Sequence, residues 1–257
     1  MIWARINKVW RIFTTGLSFF LFGVGGLIIP LIVVPLLYLF SGGKLQREKN
    51  GQLFIHYSFK LFIWIMKILG VLTYHVGHID KLKNAKLILA NHPSLLDIVF
   101  LISIVPNATC VVKGKLLKNP FMLGAIKVAG YIVNSDDPDA VIKGAAKAFD
   151  NGQALIVFPE GTRTTPLTTL KFKRGAANVA VRTQADITPI LMSCKPTTLT
   201  KGESWYNVPE KKMHFEITVE NRIAITPYLA DDNVIKAVRN LNRDLCHYFN
   251  EAIEKNE

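Results

Sequence analysis

The first seventy residues carry a hydrophobic pattern unlike the rest of the chain. From Ile12 to Gly43 there is no charged residue, and "LSFFLFGVGGLIIPLIVVPLLYLF" at 17–40 is long enough, as a helix, to cross a bilayer core of ~30 Å. Arg5, Lys8 and Arg11 before it resemble the basic start of a signal peptide. The apolar run is too long for that, and no small-x-small cleavage site follows. Pro30, Pro35 and the "GVGG" at 23–26 interrupt a straight helix. A second apolar stretch, 53–72, carries His56, Lys60 and Lys67, which fall on one helical stripe opposite Phe59, Phe62, Ile63, Ile65 and Met66. Such a helix would lie in the interface with its lysines reaching to the headgroups. The pattern predicts an N-terminal membrane-embedded helical hairpin over residues 1–70 that dips into one leaflet; a single true span is the alternative. Lys44, Arg47 and Lys49 balance the basic residues at the other end, so charge alone does not orient the segment.

From about residue 72 the period changes. "LTYHVGHI" (72–79), "AKLILAN" (85–91), "ATCVVK" (108–113), "ALIVFP" (154–159), "DITPILMSC" (186–194) and "MHFEITVE" (213–220) read as strands. Between them 95–104, 121–129, 138–150 and 173–184 read as helices, the third opened by "DDPDA" and ended by "NG". Residues 232–255 form a C-terminal helix with Val234, Val238, Leu241, Leu245 and Phe249 on one face. Alternating strands and helices predict an α/β fold, a mixed sheet flanked by helices, over residues 71–257.

Composition narrows the partners. At 257 residues the chain holds one sizeable α/β domain and an appendage; half of it is hydrophobic. The net charge of +12, from 31 Lys and Arg against 19 Asp and Glu, points to anionic partners: phosphorylated substrates, anionic lipid or nucleic acid. A solvated basic surface gives the same count. Cys110, Cys194 and Cys246 are widely spaced, without a C-x-x-C or a Cys/His zinc pattern, so neither a disulfide framework nor a metal site is indicated. A reduced, cytosol-facing domain fits.

Two strand ends carry the chemistry. In "ANHPSLLDIVF" (90–100), the strand 85–91 delivers His92 to its C-terminal end, where open α/β sheets place ligands. Pro93 favours an extended residue before it and permits a helix to begin, which sets Asp97 about one turn in. A carboxylate on one ring nitrogen fixes the tautomer and raises the basicity of the other, as a general base for a hydroxyl needs. Taken alone, the pair is better read as a turn histidine and a helix-capping aspartate. The second end, "LIVFPEGTRT" (155–164), presents Glu160, Gly161, Thr162 and Arg163. Gly161 lets the backbone approach a ligand, and Arg163 offers a planar fork to phosphate. "LKFKRGAANVA" then places Lys171, Lys173 and Arg174 near a helix start, which favours anions and equally suits a solvated basic turn. No G-x-S-x-G elbow supplies a nucleophile, so direct transfer fits better than a covalent intermediate.

"NHPSLLD" and "FPEGTRT" resemble the first and third blocks of the glycerolipid acyltransferase family, which acylates lysophosphatidic acid and related lipids. "VVKGKLLKNPFMLGAIKVAGYIV" sets Lys113, Leu116, Pro120, Gly124 and Gly130 on the family's second block, and "TPI" at 188–190 resembles the fourth. The resemblance covers roughly residues 70–225, and the family's N-terminal membrane-associated helices match residues 1–70. It implies that His92 takes the proton of an acceptor hydroxyl as that hydroxyl attacks an acyl thioester, with Asp97 orienting the imidazole. Such general-base help is worth ~10²–10⁴ in rate. It further implies substrate contacts from Lys113, Glu160, Gly161, Thr162 and Arg163, with Lys173 and Arg174 adding to the field. The donor would be acyl-CoA or acyl carrier protein, with no cofactor or metal, and the acceptor a lysophospholipid, most simply 1-acylglycerol-3-phosphate giving phosphatidic acid. The expected place is the inner membrane of the cell, with the catalytic domain on the cytoplasmic face and nucleic acid not a partner.

One position departs from the pattern. Family members with a glycerol-phosphate acceptor often carry arginine six residues after the second-block glycine, where this chain has Asp136. An alternative acceptor is therefore another lyso-lipid or a hydroxylated lipid of the aryl-polyene type. Two readings of other classes also follow from the residues. One is a metal-dependent phosphohydrolase built on His92, Asp97 and Glu160, to which His56, His75, His78, His214 and His247 add no ligand spacing. The other is a non-enzymatic basic membrane or nucleic-acid binder.

Overall fold

The N-terminal apolar run folds back on itself along the side of an α/β domain. The structure, a computed structural model, describes residues 2–134, 137–166, 168–230 and 233–255. Helix α1 (Ile2–Ile28) passes through a π-helical turn (Ile29–Val33) into α2 (Val34–Phe40). The winding changes at Pro30, whose ring removes an amide donor and obstructs the regular hydrogen-bond ladder. The chain reverses at residues 41–43, and α3 (Lys44–Ile68) runs back antiparallel. Asn50 bonds Ser41 near the reversal, Phe22 packs on Phe59 and Phe62 midway, and Trp10 donates to the carbonyl of Leu69 at the open end. This is the hairpin that the pattern predicts, with α3 starting earlier than the apolar stretch at 53.

The domain follows as β1 (Leu72–Gly77), β2 (Leu87–Ala90), α4 (Asp97–Ile104), β3 (Ala108–Lys113), α5 (Pro120–Val128), β4 (Ile132–Asn134), α6 (Pro138–Asp150), β5 (Ala154–Val157), α7 (Gly175–Thr183), β6 (Ile187–Lys195), β7 (Met213–Val219), α8 (Thr226–Leu229) and α9 (Val234–Glu254). The strands form one mixed sheet in the order β1-β7-β6-β2-β5-β3-β4. Strands β6, β2, β5, β3 and β4 are mutually parallel, while β7 runs antiparallel to β6 and carries β1 beside it. Five C-terminal strand ends therefore open onto one edge of the sheet. Strand β2 is buried along its whole length, which is why "LILA" has no polar alternation.

Helices cover both faces. On one side Phe100, Ile102 and Ile126 pack on the sheet together with Ile55, Ile63 and Met66 of α3, so the N-terminal helices share a core with the domain. On the other side α6, α7 and α9 enclose a second core containing Leu241, Leu245 and Phe249. Val238 joins that face as expected, but Val234 is exposed at the first turn of α9.

Close backbone contacts bind the hairpin to α5. A Cβ on Gly26 would stand 2.7 Å from the Phe121 carbonyl oxygen, and one on Gly124 would stand 2.7 Å from Pro30 Cδ. Gly51 lies so close to the Val128 carbonyl that any side chain would overlap it. Arg11 reaches the carbonyls of Pro209 and Glu210. Helix α1 and its π turn thus touch the domain from residue 11 to residue 30, a run of ~28 Å at 1.5 Å per residue. The rod lies along the domain and does not project from it.

Two expectations change. His56 does not share an exposed stripe with Lys60 and Lys67: it is buried, and its Nδ1 lies 2.8 Å from the carbonyl oxygen of Ile102. Docking on α4 takes Ile55 and His56 inward and leaves Leu53, Tyr57, Leu61, Trp64 and Ile68 exposed beside the lysines. The apolar surface of α3 is therefore split between the core and the outside. Strand β4 was not anticipated; three residues at a sheet edge, next to β3, are too short for a period to show.

Candidate active site

Strand β2 ends where Asn91 replaces a backbone rung with its side chain. Its amide donates to the Met192 carbonyl at 2.7 Å and accepts the Met192 N–H at 2.8 Å, tying the end of β2 to β6. His92 follows at the open edge of the sheet. Its Nδ1 lies 2.8 Å from Asp97 Oδ2, and the same oxygen accepts the Ser94 N–H at 2.7 Å. Asp97 is the first residue of α4, and one of its oxygens both closes the turn at Ser94 and orients the imidazole. With the carboxylate ionised, Nδ1 carries the proton and Nε2 keeps its lone pair. Among the described residues Nε2 has no hydrogen-bond partner.

The histidine is gripped on every other side. The Asp97 side chain is fully buried, and that of His92 is 17% exposed. The Phe158 ring stacks on the imidazole with centroids 4.1 Å apart and planes 18° from parallel. The His92 N–H donates to Glu160 Oε1 at 2.9 Å, and its carbonyl accepts the Thr164 N–H at 2.7 Å. The Thr164 hydroxyl closes the loop on Glu160 Oε1 at 2.9 Å. The two motifs sit on neighbouring strands, β2 and β5, so the sheet register brings them together.

Gly161 makes this loop possible. It adopts φ +68° and donates its N–H to Phe158 O at 3.0 Å, a turn that other residues enter only with strain. The methylenes of Lys173 lie over it, and the Lys173 N–H donates to Pro159 O at 2.8 Å. Thr162 and Arg174 are exposed, the latter just before α7, and Lys113 is exposed at the end of β3. Arg163 turns to a segment that the motifs do not contain: its Nη1 donates to the carbonyls of Leu199 at 2.8 Å and Thr200 at 2.9 Å. Asp136 lies outside the described residues.

Burial dominates the electrostatics. It pushes the Asp97 carboxyl above its ordinary range, against the bonds from His92 and Ser94 and the nearby Arg163 charge that favour the carboxylate. It also pushes Glu160 up, against the bonds from Thr164 and the His92 N–H. Each carboxylate places one oxygen on hydrogen bonds, Asp97 through Oδ2 and Glu160 through Oε1, while Asp97 Oδ1 is buried without a partner among the described residues. Among the described residues no three His, Cys, Asp or Glu side chains converge as metal ligands.

Residues 73–193 match the acyltransferase family model. The chain carries an acyltransferase-family domain. It is 34% identical over 157 residues to a 1-acyl-sn-glycerol-3-phosphate acyltransferase of Saccharomyces cerevisiae, covering 58% of this chain and 52% of the relative. It is 34% identical over 129 residues to the Helicobacter pylori protein of the same name, covering 48% of this chain and 54% of that one. The chain spans about half the length of these relatives. A crystal structure of the 1-acyl-sn-glycerophosphate (LPA) acyltransferase of Thermotoga maritima shares the fold, with a TM-score of 0.64 over 95% of this chain and 97% of that one at 19% identity.

Within the acyltransferase domain the structure adds residues that the motifs did not single out. Asn91 was visible as a polar residue closing an apolar strand, and Phe158 and Thr164 are the first and last residues of the quoted block "FPEGTRT". Leu199 and Thr200 gave no signal, because they contribute carbonyl oxygens that every residue possesses.

Proposed function

We propose that the chain is a membrane-bound O-acyltransferase that moves a fatty acyl group from acyl-CoA or acyl carrier protein to a lysophospholipid hydroxyl, with 1-acylglycerol-3-phosphate as acceptor and phosphatidic acid as product. The observation that carries this is the His92–Asp97 pair at the open sheet edge, with Nδ1 bonded to the carboxylate and Nε2 unpartnered among the described residues. Nε2 takes the acceptor hydroxyl proton as the oxygen attacks the thioester carbonyl. The C–O bond forms, the C–S bond breaks, and the proton passes to the leaving thiolate. Asp97 stabilises the imidazolium between these steps.

Arg163 supports a phosphate-bearing acceptor. Two carbonyls hold its Nη1 in place, and the rest of the guanidinium fork can serve phosphate oxygens. Lys113, Lys173 and Arg174 add positive charge around the same edge. Gly161 shapes the loop, exposed Thr162 is left to meet substrate, and Glu160 acts through its grip on His92.

The hairpin supports a membrane setting, and the inner membrane with the domain on its cytoplasmic side is the place we propose for it. Residues 6–40 form an apolar helical run long enough to cross a bilayer core, little of it buried. Its docking along the domain favours a rod lying in one leaflet over a span perpendicular to the bilayer, since its contacts run the length of α1.

The test is acyl transfer by purified full-length protein in mixed lipid and detergent. Acyl-CoA and acyl carrier protein are offered separately, and products are read by mass spectrometry. Phosphatidic acid should form with at least one donor and disappear in His92→Ala. No acylated product with either donor, or product undiminished in the variant, would overturn the assignment.

A further inference from the structure

The segment between β6 and β7, residues 196–212, touches both the site and the N-terminal rod. At one end Leu199 O accepts the Leu95 N–H at 3.2 Å as well as Arg163 Nη1, so one carbonyl holds the turn after His92 and the arginine of the other motif. Thr200 holds Arg163 a second time, and Glu203 fixes Thr200 through its N–H at 3.0 Å. Further along, Trp205 lies on α1. Its ring comes within 3.1 Å of a Cβ placed on Gly16, and its centroid is 6.0 Å from that of Phe19. Arg11 ties down the loop's far side through Pro209 and Glu210.

This loop carries two exposed aromatic residues near its middle. Trp205 is 43% exposed and Tyr206 61% exposed, although neither is needed to close a core. On helical spacing Gly16 and Phe19 border the exposed stripe of Val9, Phe13 and Phe20. Any apolar phase that receives that stripe meets Trp205 and Tyr206 at its margin. Tryptophan and tyrosine favour the zone between acyl chains and headgroups, and exposed Lys201, Lys211 and Lys212 flank them with charge that suits anionic lipid.

We propose that the 196–212 loop is a lipid-docking clamp: Trp205 and Tyr206 seat in the interface of an anionic bilayer, and that seating steadies the Leu199 and Thr200 carbonyls that hold Arg163 and the turn after His92. The inference rests on the membrane reading of the hairpin and adds a second contact wired to the active site. The site is thereby firmest when the enzyme is on its lipid surface.

Two measurements on full-length protein test it. The chain has four tryptophans, at 3, 10, 64 and 205. One variant keeps only Trp205, with the others changed to phenylalanine, and another keeps only Trp64, which is exposed on α3. Each is mixed with phosphatidylglycerol–phosphatidylethanolamine vesicles containing brominated acyl chains. Quenching of both is expected. Quenching of Trp64 alone would overturn the clamp and leave the membrane reading standing, whereas quenching of neither would sink both. Trp205 fluorescence that shifts with protein concentration but not with lipid would give this face to a second copy of the chain. The coupling is read by hydrogen exchange at the Leu95 amide, which should slow by about fivefold on vesicle binding in the parent and not in Trp205→Ser. Equal protection with and without vesicles in the parent would overturn the coupling.

Discussion

Glu160 accepts the backbone N–H of His92 at 2.9 Å, so the acidic residue of one motif fixes the backbone of the other. Glutamine at 160 keeps an acceptor of the same shape, while alanine leaves a mostly buried N–H without its partner, which costs ~1–3 kcal/mol. Glu160→Ala should therefore lower both thermal stability and kcat, the latter by about tenfold to a hundredfold through a displaced His92. Glu160→Gln should retain most of both. A glutamine variant with intact stability and a large rise in acceptor KM would instead place Glu160 against the substrate.

His92 and Asp97 should fail together. Their 2.8 Å bond makes the imidazole useful only in one tautomer and one orientation. His92→Ala and Asp97→Ala should each reduce kcat by ~10²–10⁴, and the double variant should be scarcely worse than either. Steady-state kinetics on the three proteins reads this directly, and multiplicative losses would separate the two residues.

Burial holds Asp97 above its ordinary value of 3.8, and this has a sign in stability. A raised carboxyl binds its proton more tightly in the folded chain than in the unfolded one. Its contribution to stability is fully present below the unfolded value and is lost as pH rises through the folded value. Asp97→Asn has nothing to titrate at this position. Its melting temperature relative to the parent should climb as pH rises upward from about 4. A difference that shrinks over that range would mean that the hydrogen bonds from His92 and Ser94 outweigh burial.

Much of this arrangement was legible because it is local. Pro93 and the step from an apolar strand to a helix placed Asp97 within reach of His92, and "FPEGTR" ends the neighbouring strand. What stayed hidden depends on distant chain segments. The inward turn of His56 needs the Ile102 carbonyl, and the hold on Arg163 needs the carbonyls of Leu199 and Thr200, 36 and 37 positions away. The second-block glycine Gly124 carried no reason in the sequence until Pro30 was found against it. That contact makes this glycine part of the seat for the N-terminal rod.

Gly25 and Gly26 give a matched pair for that seat. A methyl on Gly26 meets the Phe121 backbone, while nothing lies within 4 Å of one on Gly25. Gly26→Ala should destabilise by ~1–3 kcal/mol through overpacking against α5. Gly25→Ala should be neutral or stabilise by up to ~1 kcal/mol through helix propensity. Thermal unfolding in one detergent compares them, and two equal effects would mean that the rod is not seated on α5 at this point.

Arg163 is the residue at which the proposed acceptor binding and the chemistry can be read apart. Its Nη1 is held by two carbonyls, which fixes the guanidinium plane and directs the remaining donors. Arg163→Lys keeps the charge but gives up the planar fork, and an ammonium cannot serve two loop carbonyls and a phosphate in the same geometry. With 1-acylglycerol-3-phosphate, acceptor KM should rise by about tenfold to a hundredfold, with a smaller fall in kcat, because a bidentate charge-assisted contact is lost. With monoacylglycerol, which lacks the phosphate, parent and variant should share one KM. Asp136→Arg is the companion measurement, since it introduces the cation that the resemblance to glycerolipid acyltransferases implies at this position. It should lower KM for the phosphate-bearing acceptor only. Equal KM changes on both acceptors in Arg163→Lys would show that the arginine serves the 199–200 loop alone, and the acceptor would then have to be sought among hydroxylated lipids without phosphate.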